Sequence, residues 1–148
     1  MASDGLRVLL VEDNPAEAEL VRDVLGRARG ERFVVEHANR LQAGLDRLTA
    51  EPFDVVLLDF SLPDSLGLAT YEKVRAEAPG VPVVILTNLD DEEIAVQAVR
   101  EGAQDYLLKR ELATGLLVRS IRYAIERSSA ERALRESENR YALAVQGA

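Results

Sequence analysis

Residues 55–64 read VVLLDFSLPD, from Val55 to Asp64. Four apolar residues, Val55-Val56-Leu57-Leu58, run into Asp59, and the chain breaks at once into Leu62-Pro63-Asp64. An unbroken apolar run of this kind predicts a strand buried on both faces, as in a parallel sheet. A carboxylate at the end of such a strand is costly unless a partner meets it. That partner has to come from elsewhere in the chain, so the flanking segments decide what the stretch does.

Working outward, the same pattern recurs. Leu6 to Val11 is a short apolar run, followed by Asn14-Pro15, a helix-start signal with Asn as cap and Pro in first position. Ala16, Leu20, Val24 and Leu25 then repeat at helical spacing. Phe33-Val34-Val35 predicts a second strand, with His37 at its end, and Leu41, Leu45 and Leu48 a second helix. After the strand ending in Asp59, a helix is expected over 66–78, stopped by Pro79-Gly80. Val81 to Leu86 is a fourth strand. Asp90-Asp91-Glu92-Glu93 places acids on the first turn of the next helix, where the helix dipole favours them, and Gly102 ends it. Tyr106-Leu107-Leu108 is a fifth strand, and a long helix is expected from about Leu112. Five strands alternating with helices predict an α/β fold, a doubly wound parallel sheet covered on both faces.

Composition agrees with a folded unit. The 148 residues are 47% hydrophobic and 30% charged, which suits one globular domain and argues against disorder. The net charge of −8 makes direct nucleic-acid binding through this domain an unsuitable role, since phosphate contacts need Lys and Arg. Cysteine is absent, which excludes disulfides and thiolate metal sites. The N-terminus lacks the basic, long apolar layout of a signal peptide, and no segment approaches the ~20 apolar residues of a membrane span. The expected setting is the cytoplasm, without a membrane partner.

In doubly wound sheets the ligand site lies outside the carboxyl ends of the strands. At those ends stand Glu12-Asp13, Asp59, Thr87-Asn88 and Lys109. Three carboxylates together repel one another unless a cation joins them. A hard divalent cation such as Mg²⁺, or Mn²⁺, with oxygen ligands is the simplest remedy. Lys109 is one of two lysines in the chain, against sixteen arginines. A compact ammonium that reaches a phosphoryl oxygen is a physical reason for that choice. No Gly-rich loop follows the first strand, so the site is not built to cradle a nucleotide. It suits transfer of a single phosphoryl group onto an aspartate nucleophile.

At this point the chain resembles the receiver domain of two-component response regulators. The resemblance rests on VEDN with Glu12 and Asp13, LLDFSLPDSLG with Asp59, Pro63 and Gly67, VVILTN with Thr87, and DYLLK with Tyr106 and Lys109. It covers about residues 5–127 and implies a flavodoxin-like (βα)5 fold. It implies that Asp59 is phosphorylated by a sensor histidine kinase or phosphotransfer protein. It further implies that Asp13 and Asp59, helped by Glu12 and the Ser61 backbone carbonyl, hold Mg²⁺. Thr87 and Tyr106 match the switch residues, and Lys109 the lysine that pairs with the phosphoryl oxygens. Such a domain is not an enzyme on other substrates and catalyses only its own phosphorylation and dephosphorylation. One departure is Arg110, where most receivers have proline.

Taken singly, each residue has a plainer reading. Asp59 could open a turn, Glu12-Asp13 could precede and cap a helix, Thr87 could be an ordinary strand residue, and Tyr106 could be core packing. Their joint arrival at successive strand ends is what carries the reading. Two alternatives from other classes stand beside it. One is a phosphorylation-independent dimerisation or docking scaffold on the same fold. The other is a small phosphate-ester hydrolase, opposed by the lack of a substrate-covering insertion; steady turnover of an ester separates it from both.

The last segment differs in kind. Leu117, Ile121, Ala124 and Ile125 form an apolar stripe that stops at Ser128-Ser129, so the receiver is expected over 1–127 and a helical linker over 128–148. Glu131–Arg135, Arg132–Glu136 and Glu136–Arg140 are spaced for i,i+4 ion pairs. Tyr123, Ala130, Leu134, Tyr141 and Ala144 form a weak seam, broken by Arg127 and Ser137, which is one expected homodimer surface. The face of the fourth helix, fifth strand and fifth helix is the other expected dimer surface. Residues 133–148 also resemble the helical lead-in to a PAS sensor domain, which implies that a further output domain follows.

Overall fold

The computed structural model describes residues 5–146, with side chains described to residue 142. Its main sheet contains β1 (Leu6–Val11), β2 (Phe33–Ala38), β3 (Val55–Asp59), β6 (Val83–Thr87) and β7 (Asp105–Leu108). All neighbours pair in parallel, in the order β2-β1-β3-β6-β7. The helices are α1 (Pro15–Gly26), α2 (Leu41–Ala50), α3 (Leu68–Glu77), α4 (Glu92–Glu101) and α5 (Leu116–Gln146). This is the doubly wound α/β fold that the alternation predicts.

Alternation along each strand sends side chains to two separate cores. Val8, Leu10, Val55, Leu57, Val84 and Leu86 pack against α1 and α5 through Val21, Leu25, Leu117 and Ile121. Leu9, Val11, Val56, Leu58 and Ile85 pack against α2, α3 and α4 through Leu41, Tyr71, Val74 and Ala98. Every residue of β3 is buried, Asp59 included. Gly44 lets α2 settle on β1, since a Cβ there would stand 2.9 Å from Val11 Cγ2. The order reverses at β1, flanked by β2 and β3, so the crevice opens between the ends of β1 and β3.

Three local features depart from the sequence expectation. Residues 61–66 are an antiparallel hairpin, β4 (Ser61–Leu62) and β5 (Ser65–Leu66), so Leu66 lies outside α3 and is 71% exposed. Gly67, at φ +69°, turns the chain from hairpin into helix, and its N–H closes on the Phe60 carbonyl. Asp90 and Asp91 form a 3₁₀ turn before α4 rather than its first turn. The last helix starts later than Leu112, because residues 109–111 form a 3₁₀ turn and the Thr114 hydroxyl accepts the Leu116 N–H at 3.2 Å.

α5 is 31 residues, roughly 46 Å long. Its first half is buried through Leu117, Ile121 and Ala124. Ser128 Oγ then donates to the Gly80 carbonyl at 3.4 Å, and Gln104 Nε2 donates to Glu131 Oε1 at 3.0 Å. From Arg132 to Ala142 every side chain is exposed. The ion pairs expected along this arm do not form among the described residues; solvated charges gain little from pairing. The Ala144 side chain of the predicted seam lies outside the described residues. No described helix is long and apolar enough to cross a membrane.

Candidate functional site

The ends of β1, β3, β6 and β7 bring the predicted residues to one edge. Glu12 follows β1 and is fully buried; Asp13, next to it, is exposed. Asn14 caps α1, its Oδ1 accepting the Ala16 and Glu17 N–H groups at 2.9 and 3.1 Å. This turns the chain sharply after Asp13 and points the start of α1 at the site. Asp59 ends β3 opposite Leu86, one residue before Thr87, which pairs with Leu108. Lys109 then follows as the next residue. The predicted set therefore assembles through strand register alone.

One carboxylate oxygen from each of Glu12, Asp13 and Asp59 lies within 4.8 Å of the other two. Lys109 Nζ stands 3.2 Å from Glu12 Oε1 and 3.2 Å from Asp59 Oδ1. The backbone braces the rest. Ser61 N–H donates to Asp59 Oδ1 at 3.2 Å, Asn14 N–H donates to Glu12 Oε2 at 3.2 Å, and His37 Nε2 donates to the Glu12 carbonyl at 2.6 Å. Asp59 Oδ2 is buried, and no donor reaches it unless Glu12 carries a proton.

The electrostatics match this crowding. Burial, then the field of Asp59 and a hydrogen bond to it, push Glu12 up to about 8. Burial also raises Asp59, although Lys109, Glu12 and the Ser61 N–H pull the other way. Burial works to lower Lys109 but is outweighed by Glu17, Asp59 and Glu12, so the ammonium is held charged. One cation thus serves more acids than it can neutralise. Three clustered carboxylates with a buried oxygen lacking a donor are a donor set that fits a hard divalent cation. Glu12, Asp13 and Asp59 are the side chains that would hold it.

The two expected switch residues are elsewhere engaged. Thr87 Oγ1 is buried and donates back to the Asn88 carbonyl at 3.2 Å. Tyr106 OH donates to Glu92 Oε2 at 2.7 Å, at the start of α4. That bond raises the tyrosine, and burial and the Glu92 charge add to it. Arg110 sits in the 3₁₀ turn, where the Leu112 N–H closes on the Lys109 carbonyl at 3.2 Å.

Three residues here escaped sequence reasoning. Glu17 makes the shortest contact of Lys109, with Oε2 2.6 Å from Nζ. Its signal was present: a first-turn acid three residues past Asn14 looks like a dipole partner, but the same placement aims it at the strand ends. Glu92 fits the sequence as a first-turn acid favoured by the helix dipole, which gives no hint of its bond to Tyr106. Asp64, in the hairpin turn, caps a helix distant in sequence, its oxygens accepting the Leu41 and Gln42 N–H groups at 2.7 and 2.9 Å. Arg40, the residue preceding α2, makes no such bond.

Comparison with known proteins bears on this arrangement. The family model described as the response regulator receiver domain matches residues 8–122. The transcriptional regulatory protein ZraR of Escherichia coli (strain K12) is 33% identical over 109 residues, covering 74% of this chain and 24% of that protein. The chain thus spans about a quarter of that relative's length. NtrX from Brucella abortus superposes with a TM-score of 0.75 at 28% identity, covering 89% of this chain and 29% of that one. A CheY-like receiver domain protein from Methanospirillum hungatei JF-1 superposes with a TM-score of 0.67 at 25% identity, covering 86% and 99%.

Proposed function

Since the chain belongs to the response regulator receiver domain family, we propose that it is a phosphoacceptor switch in a two-component phosphorelay, with Asp59 as the acceptor. The observation that carries this is Asp59 itself: a buried carboxylate at a strand end, met by Lys109 and the Ser61 N–H and clustered with Glu12 and Asp13. In this reading the Asp59 carboxylate is the nucleophile.

A carboxylate oxygen of Asp59 attacks the phosphorus of a phosphohistidine on a sensor kinase or phosphotransfer protein. The new O–P bond forms as the P–N bond breaks, and the imidazole leaves with the electron pair. Glu12, Asp13, Asp59 and the Ser61 carbonyl would hold Mg²⁺ or Mn²⁺. When bound, such an ion neutralises charge on the transferring phosphoryl group. Lys109 supplies the second positive charge to the same oxygens. The Thr87 hydroxyl leaves the Asn88 carbonyl and bonds the phosphoryl group, and Tyr106 leaves Glu92 and turns inward. The surface of α4, β7 and α5 changes accordingly.

The output runs through α5, which is tied to the domain where Ser128 donates to the Gly80 carbonyl and Gln104 donates to Glu131. The change passes to a homodimer or to a following domain, for which a PAS module fits the helical lead-in. The setting is the cytoplasm, and these residues make no direct nucleic-acid contact. The domain catalyses only its own phosphorylation and dephosphorylation.

The test is intact mass after incubation with acetyl phosphate, with and without Mg²⁺, on this chain and on Asp59→Asn. The expected result is a Mg²⁺-dependent gain of one phosphoryl group, absent from the variant. No gain under any condition defeats the reading and favours a docking scaffold.

A further inference from the structure

Lys109 has three N–H donors and no others to give. Its ammonium stands in ion-pair contact with Glu12, Asp59 and Glu17, with the closest approach, 2.6 Å, to Glu17 Oε2. These three acids are not equivalent. Glu12 and Asp59 have side chains 0% and 3% exposed and are fixed by the ends of β1 and β3. Glu17 stands on the first turn of α1 with its side chain 30% exposed, so it alone can swing into water. A phosphoryl group arriving on Asp59 needs the Lys109 ammonium, which stands in ion-pair contact with all three acids and is closest to Glu17.

We propose that Glu17 is a positioning residue for Lys109: a releasable anchor that holds the ammonium until an incoming phosphoryl oxygen displaces it. This rests on the phosphoacceptor reading above. With acetyl phosphate as donor, an Asp59 carboxylate oxygen forms the bond to phosphorus. The bond from phosphorus to the acetate oxygen breaks, and acetate leaves with the electron pair. Lys109 must turn from Glu17 to the phosphoryl oxygens during that step. Glu17 therefore restrains the reaction, and removing its charge speeds it.

The variant is Glu17→Gln, which keeps length and shape at a partly exposed position. Two readouts are taken. The first is the initial rate of phosphorylation by acetyl phosphate at saturating Mg²⁺, so that any change in metal affinity drops out. The second is hydrogen exchange of the Lys109 ammonium by NMR in the metal-free protein. The chain has only Lys73 and Lys109, so the signal is readily assigned and Lys73 is an internal reference. The expected result is a rate about two- to fivefold higher, the scale of one partly exposed ion pair, together with faster Lys109 exchange. Damage to the fold slows the reaction and cannot imitate that gain. An unchanged or slower rate overturns the proposal, and so does a faster rate with unaltered Lys109 exchange. A wild-type protein that takes no phosphoryl group is a different failure: it defeats the phosphoacceptor reading, and this inference falls with it.

Discussion

The strand-end site and the outer half of α5 are both rich in charge, yet the two regions use it in opposite ways. At the site, Glu12, Asp59 and Lys109 are buried or nearly so, and the ammonium stands 3.2 Å from each of the two carboxylates. Along the arm, from Arg132 to Ala142, charges of both signs stand in water without ion-pair partners among the described residues. Buried charge is costly, so an arrangement that keeps it must be held in place by its neighbours. Exposed charge costs almost nothing and fixes almost nothing. Position in the fold, not residue type, separates a site from a solvated surface.

Lys109→Ala should test that contrast hardest. It leaves three carboxylates facing one another without their cation. The expected loss is about 3–5 kcal/mol of stability in metal-free buffer, read by urea denaturation, with phosphorylation by acetyl phosphate lost as well. A loss as small as that of an arm substitution breaks the comparison.

Acidity tests it next. Glu12 is raised to about 8 in the folded chain, against an ordinary value of 4.5. Between those values the native protein holds a proton that the unfolded chain has released. The stabilisation is complete below the unfolded value and is lost as pH rises through the folded one. Metal-free stability should therefore fall from about pH 4.5 to about pH 8, with a slope of at most about 1.4 kcal/mol per pH unit from this one group. Glu12→Gln should flatten the slope, and Mg²⁺ should oppose it by favouring the ionised acids. Denaturation midpoints across that range decide the matter.

Asp64→Ala comes third. It removes the cap that the hairpin lends to α2 and should cost about 1 kcal/mol by thermal or urea melting. Its carboxyl is held below the ordinary range: burial pushes it up, but the Gln42 and Leu41 N–H groups outweigh that. This contribution should accordingly fade as pH falls through the depressed value. The smallest effect belongs to the arm. Leu134→Ala and Tyr141→Ser, at positions 60% and 74% exposed, should each shift stability by under about 0.5 kcal/mol. A clear concentration-dependent destabilisation there would show that a second chain covers this face.

Much of the site was legible because its residues sit at ends of apolar runs. Val55 to Leu58 declares a buried strand, and whatever follows it must lie at the sheet's carboxyl edge. The same logic placed Glu12, Asp13, Thr87 and Lys109. It failed for Glu17, Glu92 and Asp64, which reach their partners across 92, 14 and 23 positions of sequence. Each is an acid on a turn or first helical turn, a placement that local rules already explain, so nothing in the sequence asks for a further partner. The hairpin after Asp59 was missed for a similar reason: Leu66 fits a helical face, and only the close of Gly67 on Phe60 takes it out of the helix.

The sequence by itself determined the five parallel strands, the two-sided core and the identity of the acids and lysine at one edge, since these follow from hydrophobic period and from where each apolar run stops. Only the tertiary structure decided how Lys109 divides itself among three carboxylates, where Thr87 and Tyr106 rest, and which loop caps α2. Those are contacts between elements. Their distances depend on how helices settle on the sheet, and side-chain packing against neighbours from other segments sets that, which no local pattern encodes.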